Sequence, residues 1–305
     1  MNLQTFIGSM VERLSVHYPA QEAKAIAVRL LKETLQGYKG YEHLVEPGRE
    51  LDTFSAIGSV DGTAESFLVL CVERLAAGEP LQYVLGYEWF CGHKFNVVSG
   101  VLIPRPETEE LVQQVVKGAR GMADGACRVL DVCTGSGCIA LSVAAALQGA
   151  EVYGCDISPV ALETSRGQKV CTEDGVRVNV KFFGCDVLSA RAQEVILSEC
   201  GEGCFDIIVS NPPYVCECEK GLMHKNVLDH EPHLALFVPD ADPLRFYRRI
   251  GELSGSLLKK GGILFFEINE RFGKETAAML EEIGFGDCRV LQDLFGKDRM
   301  VLAKK

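Results

Sequence analysis

Positive charge is scarce in this chain. Its 305 residues carry 31 Lys and Arg against 42 Asp and Glu, a formal charge of −11. A surface that grips phosphates in general needs the reverse, with Lys and Arg clustered, so direct general nucleic-acid binding is not expected, while local recognition of a nucleic acid or of a protein that carries one stays open. Long apolar runs are missing too, and nothing approaches the ~20 residues that cross a bilayer. From Met1 to Pro19 polar and apolar residues mix without the hydrophobic stretch of a secretory signal, so a cytoplasmic protein with no membrane partner is expected. Repeats and low-complexity tracts are absent. Histidine is sparse, at 6, and His17 and His43 stand alone, as surface or capping residues do. Cysteine is the exception, with 13, and without a signal these are expected to be reduced, mostly buried thiols. Cys200, Cys204, Cys216 and Cys218 suggest a zinc set. The two pairs flank a strand over 205–210, however, which holds them roughly 20 Å apart at ~3.3 Å per residue, so no metal is expected.

Hydrophobic content of 47% and charged content of 24% fit an ordinary globular chain with room for two domains. Residues 1–82 read as a small helical bundle. Ala23, Ile26, Ala27, Leu30, Leu31 and Leu35 mark one buried helical face, and Ala64, Phe67, Leu68, Cys71 and Leu75 mark another. Phe6, Met10 and Leu14 suggest a third helix, with a further short one over 41–51. No chemistry is visible there, which suits packing or partner binding. Residues 83–100 read as a β-hairpin linker, with aromatic and β-branched residues around Gly86 and Gly92. In Pro104-Arg105-Pro106-Glu107-Thr108 the prolines force an extended approach, and Thr108 or Glu107 is placed to start a helix from Glu109. An Arg fixed between prolines suggests a role at the edge of a site.

From 128 onward strand and helix alternate. Strands are predicted over 128–132, 151–155, 176–183, 205–210 and 262–268. Helices are predicted over 138–147, from a Ser158 cap with Pro159 at its first position, and over 190–197, 244–258 and 274–283. A hairpin over 288–291 and 300–303 closes the chain. This βαβα order implies an α/β, doubly wound, mainly parallel sheet with an antiparallel C-terminal edge.

Ligands bind such sheets beyond the carboxyl ends of the strands. Asp131-Val132-Cys133-Thr134-Gly135-Ser136-Gly137 lies at the end of the first of them, where the two glycines allow a tight turn and close approach of a ligand. The next helix offers free N–H groups. Asp156 ends the second strand, where a carboxylate can accept ribose hydroxyls, and Asp186 ends the third, where an adenine amine would fit. Two cofactor classes suit this pattern. The glycines satisfy a dinucleotide fingerprint, while an acid ahead of a spaced glycine loop suits S-adenosylmethionine, with Asp131 toward the methionine ammonium.

The stretch Asn211-Pro212-Pro213-Tyr214 decides between them. Neither proline can donate to a ladder, so the 205–210 strand stops with a polar Asn at its mouth. The Asn211 side-chain oxygen and the Pro212 carbonyl are two fixed acceptors suited to a planar –NH2 group, in an amide or an adenine. The lone pair of such a nitrogen is delocalised, so positioning and electrostatic preorganisation are what a protein can offer it. Tyr214 would supply a face for the planar group. Hydride transfer has no use for this arrangement.

With 102–109, 131–137 and 211–214 together, the chain resembles the HemK/PrmC family, the protein-(glutamine-N5) methyltransferases of peptide chain release factors. The likeness extends to residues 79–86, to Glu231-Pro232 with Ala235-Leu236, and to Asp298-Arg299-Met300-Val301. It implies a Rossmann-like class I methyltransferase domain over 101–305, with a seven-stranded, mainly parallel sheet, and a helical bundle that helps dock the release factor. It implies that Asp131, Cys133, Thr134, Gly135, Ser136, Gly137, Asp156, Asp186, Val187 and Asn211 line the S-adenosylmethionine site. The glutamine would be received by Asn211, Pro212, Pro213 and Tyr214, with Arg105 and Glu107 at the edge. The chain departs from the family at Cys133, where a glycine is usual, at Val187, where an aromatic is common, and over 237–243, where a glycine-rich stretch is common. The nearest rivals are the same chemistry on a ribosomal-protein glutamine or on adenine N6 of nucleic acid. A different class is a non-catalytic translation-factor binder.

Overall fold

The computed structural model describes residues 3–35, 62–122, 127–201 and 205–305. The helix expected over 41–51, His43, Cys204 and the side chains of Leu35 and Ala64 lie outside what is described. The twelve cysteines among the described residues are all free thiols.

Two compact units divide the chain. The first is Met1–Gly86 together with Met223–His230. It contains α1 (Leu3–Leu14), α2 (Ala20–Leu35), α3 (Gly62–Ala76) and the short α4 (Leu81–Leu85). Phe6, Met10 and Leu14 of α1 and the periodic face of α2 meet Leu68, Cys71, Val72 and Leu75 in one core. Phe67 does not join it. It is 48% exposed and shares the outer face of α3 with Leu70 at 54%, which corrects the predicted stripe. Residues i and i+3 share a face, and here the 68–71–72–75 set takes the inner one. Arg74 closes the unit, donating to both carboxylate oxygens of Glu79 and to the carbonyls of Tyr83 and Val84. Helix α4 replaces the start of the predicted hairpin. Pro80 stands at its N-cap, and it ends at Gly86 in the left-handed region (φ 81°), where a Cβ would be strained.

The second unit, Tyr87–Leu222 with Glu231–Lys305, opens on a hairpin of β1 (Tyr87–Phe90) and β2 (His93–Asn96). Then follow α5 (Pro106–Arg120), β3 (Arg128–Val132), α6 (Cys138–Ala146), β4 (Glu151–Asp156), α7 (Pro159–Gly167), β5 (Lys181–Gly184), α8 (Ala192–Cys200) and β6 (Phe205–Ser210). Beyond β6 come β7 (Val215–Cys216), α9 (Lys225–His230, grouped with the first unit), α10 (His233–Leu236), β8 (Phe237–Val238), α11 (Arg245–Leu257), β9 (Leu258–Glu267), α12 (Gly273–Ile283), β10 (Gly286–Gln292) and β11 (Asp298–Lys304).

Seven strands form one sheet in the order β10-β11-β9-β6-β3-β4-β5. Pairing is parallel from β9 through β5, and the two C-terminal strands add an antiparallel edge. The central strands are buried on both faces, which is why they read as apolar runs without alternation. Strand β5 begins at Lys181 rather than 176. Its register starts at Tyr153↔Lys181, so the residues before Lys181 have no partner strand on β4 and form a turn closed by a Cys171–Arg177 bridge. Strand β9 starts earlier than predicted, at Leu258, through a register shift before Ile263 that the paired Gly261 and Gly262 accommodate. Helix α5 starts at Pro106, whose missing N–H costs nothing at a first turn. Thr108 therefore lies inside the helix, free to point elsewhere.

Candidate active site

The carboxyl ends of β3, β4, β5 and β6 and the segment 100–105 enclose a cavity of about 240 Å³. Its floor is the turn between β3 and α6. Cys133 (φ 61°), Gly135 (φ 56°) and Gly137 (φ 80°) are all left-handed there. For Gly137 that backbone and a Cβ position 2.9 Å from Phe182 leave no room for a side chain, whereas a Cβ on Gly135 would meet only open space. Cys133 holds a conformation that favours glycine, which gives the physical reason why a glycine suits that position. Gly154, which the sequence reading passed over, is needed as well. A Cβ on it would stand 2.6 Å from Phe182 and 2.8 Å from the Thr134 hydroxyl. A glycine inside a strand is the signal that would have found it.

Asp131 does not line the cavity. It is wholly buried behind the turn, where its Oδ2 accepts the Thr134 hydroxyl at 2.6 Å and the Ala140 N–H at 3.2 Å. Its Oδ1 has no partner among the described residues. Burial pushes this carboxyl up to about 7, against the pull of Thr134 and Ala140. Asp156 lines the cavity and takes one backbone N–H on each oxygen, from Gly135 at 2.9 Å and Ser158 at 2.8 Å. Burial raises it too. Each of its oxygens keeps a lone pair for a ligand hydroxyl. Asp186 and Val187 lie on the wall as expected, Asp186 exposed and accepting the Leu188 N–H at 2.9 Å. Ser158 caps α7, accepting the Ala161 N–H at 3.3 Å.

At the other end β6 delivers Asn211. Ser210 ties the two strand ends together by donating to the Val132 carbonyl at 2.6 Å. Asn211 and Pro213 line the cavity, and Pro212 is buried beside them. Asn211 Nδ2 donates to Thr108 Oγ1 at 3.3 Å, and Thr108 donates to Glu267 Oε2 at 2.6 Å. The Tyr214 hydroxyl donates to Glu267 Oε1 at 3.0 Å. Glu267 is only 1% exposed. Burial raises its carboxyl, while the Thr108 and Tyr214 hydroxyls and the charge of Arg299 oppose the rise.

Thr108, not Glu107, is the member of the 104–108 segment that meets Asn211; Glu107 is absent from the cavity wall. Arg105 reaches the wall, but its guanidinium is committed, donating to Glu231 Oε1 at 2.6 Å. The other oxygen of buried Glu231 accepts the Ile103 N–H at 3.2 Å, so Arg105 helps pin the wall segment. The sequence reading missed Thr108, Glu231 and Glu267 as functional residues. A polar residue among apolar neighbours at a strand end was the available signal for Glu267.

Comparison with known proteins gives a family model and several named relatives. The model described as "Methyltransferase domain" matches residues 123–281. A Bacteroides thetaiotaomicron protein named "Release factor glutamine methyltransferase" is 43% identical over 94% of this chain and 95% of its own length. Namesakes from Flavobacterium psychrophilum and Chlorobaculum tepidum are 38% identical over 99% and 98%, and 39% identical over 77% and 77%, of the two chains respectively.

Proposed function

Because this chain belongs to the family of release factor glutamine methyltransferases, we propose that it transfers a methyl group from S-adenosylmethionine to the side-chain amide nitrogen of the Gly-Gly-Gln glutamine of a peptide chain release factor. The observation that carries the reading is Asn211, fixed on the wall of the same cavity as the Gly135 turn and Asp156. The cavity suits the cofactor on its own chemistry. Gly135 leaves open space where a side chain would intrude, and Asp156 has lone pairs to spare.

When bound, S-adenosylmethionine supplies a methyl group on a positively charged sulfur. The protein's part is to hold the acceptor. Asn211 Oδ1 and the Pro212 carbonyl each take one hydrogen of the glutamine –NH2, which orients the nitrogen and stabilises the positive charge it gains. Tyr214, expected to pack against the amide, is absent from the cavity wall and instead holds Glu267 through its hydroxyl. The chemistry supplied would be methyl transfer from sulfur, which would leave as a neutral thioether, to the amide nitrogen held by Asn211 and Pro212, with the extra proton passing to water. No strong base is required, because the nitrogen becomes acidic once it carries the methyl group.

The helical unit offers the release factor an apolar face at Phe67 and Leu70, and the reaction belongs in the cytoplasm, where release factors work. The mechanism is tested with Asn211→Ala. Single-turnover methylation should slow by about 100-fold or more, while cofactor affinity by calorimetry changes little. A variant as fast as the parent would sink it.

A further inference from the structure

Asn211 serves an incoming –NH2 group only if its carbonyl oxygen, and not its own NH2, faces the cavity. Nothing within Asn211 decides which way its amide lies. The choice is made behind it, by donor and acceptor arithmetic. A hydroxyl has one proton. Thr108 gives that proton to Glu267 Oε2 at 2.6 Å, so toward Asn211 its oxygen can only accept. Asn211 must then turn its NH2 inward, as the 3.3 Å contact has it, and Oδ1 is left for the ligand. Glu267 is held for this task at the last position of β9, paired in register with Met300 of β11. Tyr214 occupies its second oxygen at 3.0 Å. Among the described residues no Lys or Arg forms an ion pair with Glu267; nearby Arg299 pairs with Asp293 at 3.2 Å. A buried carboxylate whose hydrogen bonds among the described residues come from two hydroxyls is expensive for a fold, and such groups concentrate at functional sites.

We propose that Glu267 is a positioning residue which, through the Thr108 hydroxyl, fixes the orientation of the Asn211 amide and so makes the site selective for a side-chain amide over a carboxylate. Glutamine brings two hydrogens to the outward oxygens of Asn211 and Pro212. Glutamate would bring only negative oxygens to the same two acceptors and be repelled. Reversing the Asn211 amide would weaken that distinction, because its NH2 would then face the acceptor. The inference rests on the function proposed above and adds where its selectivity is set.

Three variants test it, each assayed for release-factor methylation and for cofactor affinity. Thr108→Val keeps the shape of the side chain and removes the hydroxyl, and should lower kcat by about 100-fold with cofactor affinity near that of the parent. Thr108→Ser restores the hydroxyl and should recover kcat to within about threefold. Glu267→Gln presents an NH2 to one of its two hydroxyl partners and should also lower kcat selectively. A residue that mattered only for folding would lose cofactor affinity together with kcat, and would not separate Val from Ser. Parent-like kcat in Thr108→Val, or a proportional loss of cofactor affinity, overturns the inference. A parent protein that labels no release-factor glutamine overturns the function itself, and the inference with it.

Discussion

At the scale of single residues three carboxylates in or behind the cavity each do something different. Asp131 braces the β3–α6 turn, Asp156 presents lone pairs to the cavity, and Glu267 faces two hydroxyls. All three are raised by burial, Asp131 to about 7. A folded-state value above the unfolded one means the folded protein holds a proton that the unfolded chain has released. The stability linked to Asp131 is therefore fully present below its ordinary value of 3.8 and is lost as pH rises through about 7. Urea unfolding should show stability falling between about pH 4 and about pH 7, by at most ~1.4 kcal/mol per pH unit for one proton. Asp131→Asn removes the titrating group, and its slope over the same range should be shallower. An unchanged slope would mean that Asp131 is ionised throughout.

At the scale of elements the site is an agreement between segments far apart in the chain. The wall segment 100–105 stays in place because Glu231, 126 positions from Arg105, takes both the guanidinium and the Ile103 N–H. Glu231→Ala should free that segment. Hydrogen exchange at Ile103 should speed up by at least about tenfold, with exchange in the central strands β3 and β6 unaffected; no change at Ile103 would show that the prolines alone hold the wall. What the sequence disclosed follows the same division. The strand ends at Asp131, Asp156, Asp186 and Asn211 were legible because apolar runs and the glycines and prolines that stop them are local signals. The partners of those residues were not. Thr108 and Glu267 are 159 positions apart, and no local pattern joins a threonine in a first helical turn to a glutamate at the end of a later strand. Arg105 shows the same limit from the other side. Its place between two prolines marked it as special, but only the fold shows that its charge is taken up by Glu231. Phe67 was misread because a helical stripe has two plausible edges until its neighbours choose one.

At the scale of the whole molecule, the chain joins a helical unit without visible chemistry to a unit that contains the complete cavity. That division fits an acceptor that is itself a protein. One unit can recognise a large partner while the other handles a single side chain. The net charge of −11 fits as well, since an enzyme acting on nucleic acid would need positive charge along the path of its substrate. No helix among the described residues is long and apolar enough to cross a membrane. The most direct measurement is label transfer from tritiated S-adenosylmethionine to a purified release factor, run beside the same factor with its Gly-Gly-Gln glutamine changed to alanine. The account predicts label on the glutamine form and none on the alanine form. Equal labelling of both, or label that follows nucleic acid instead, would contradict it.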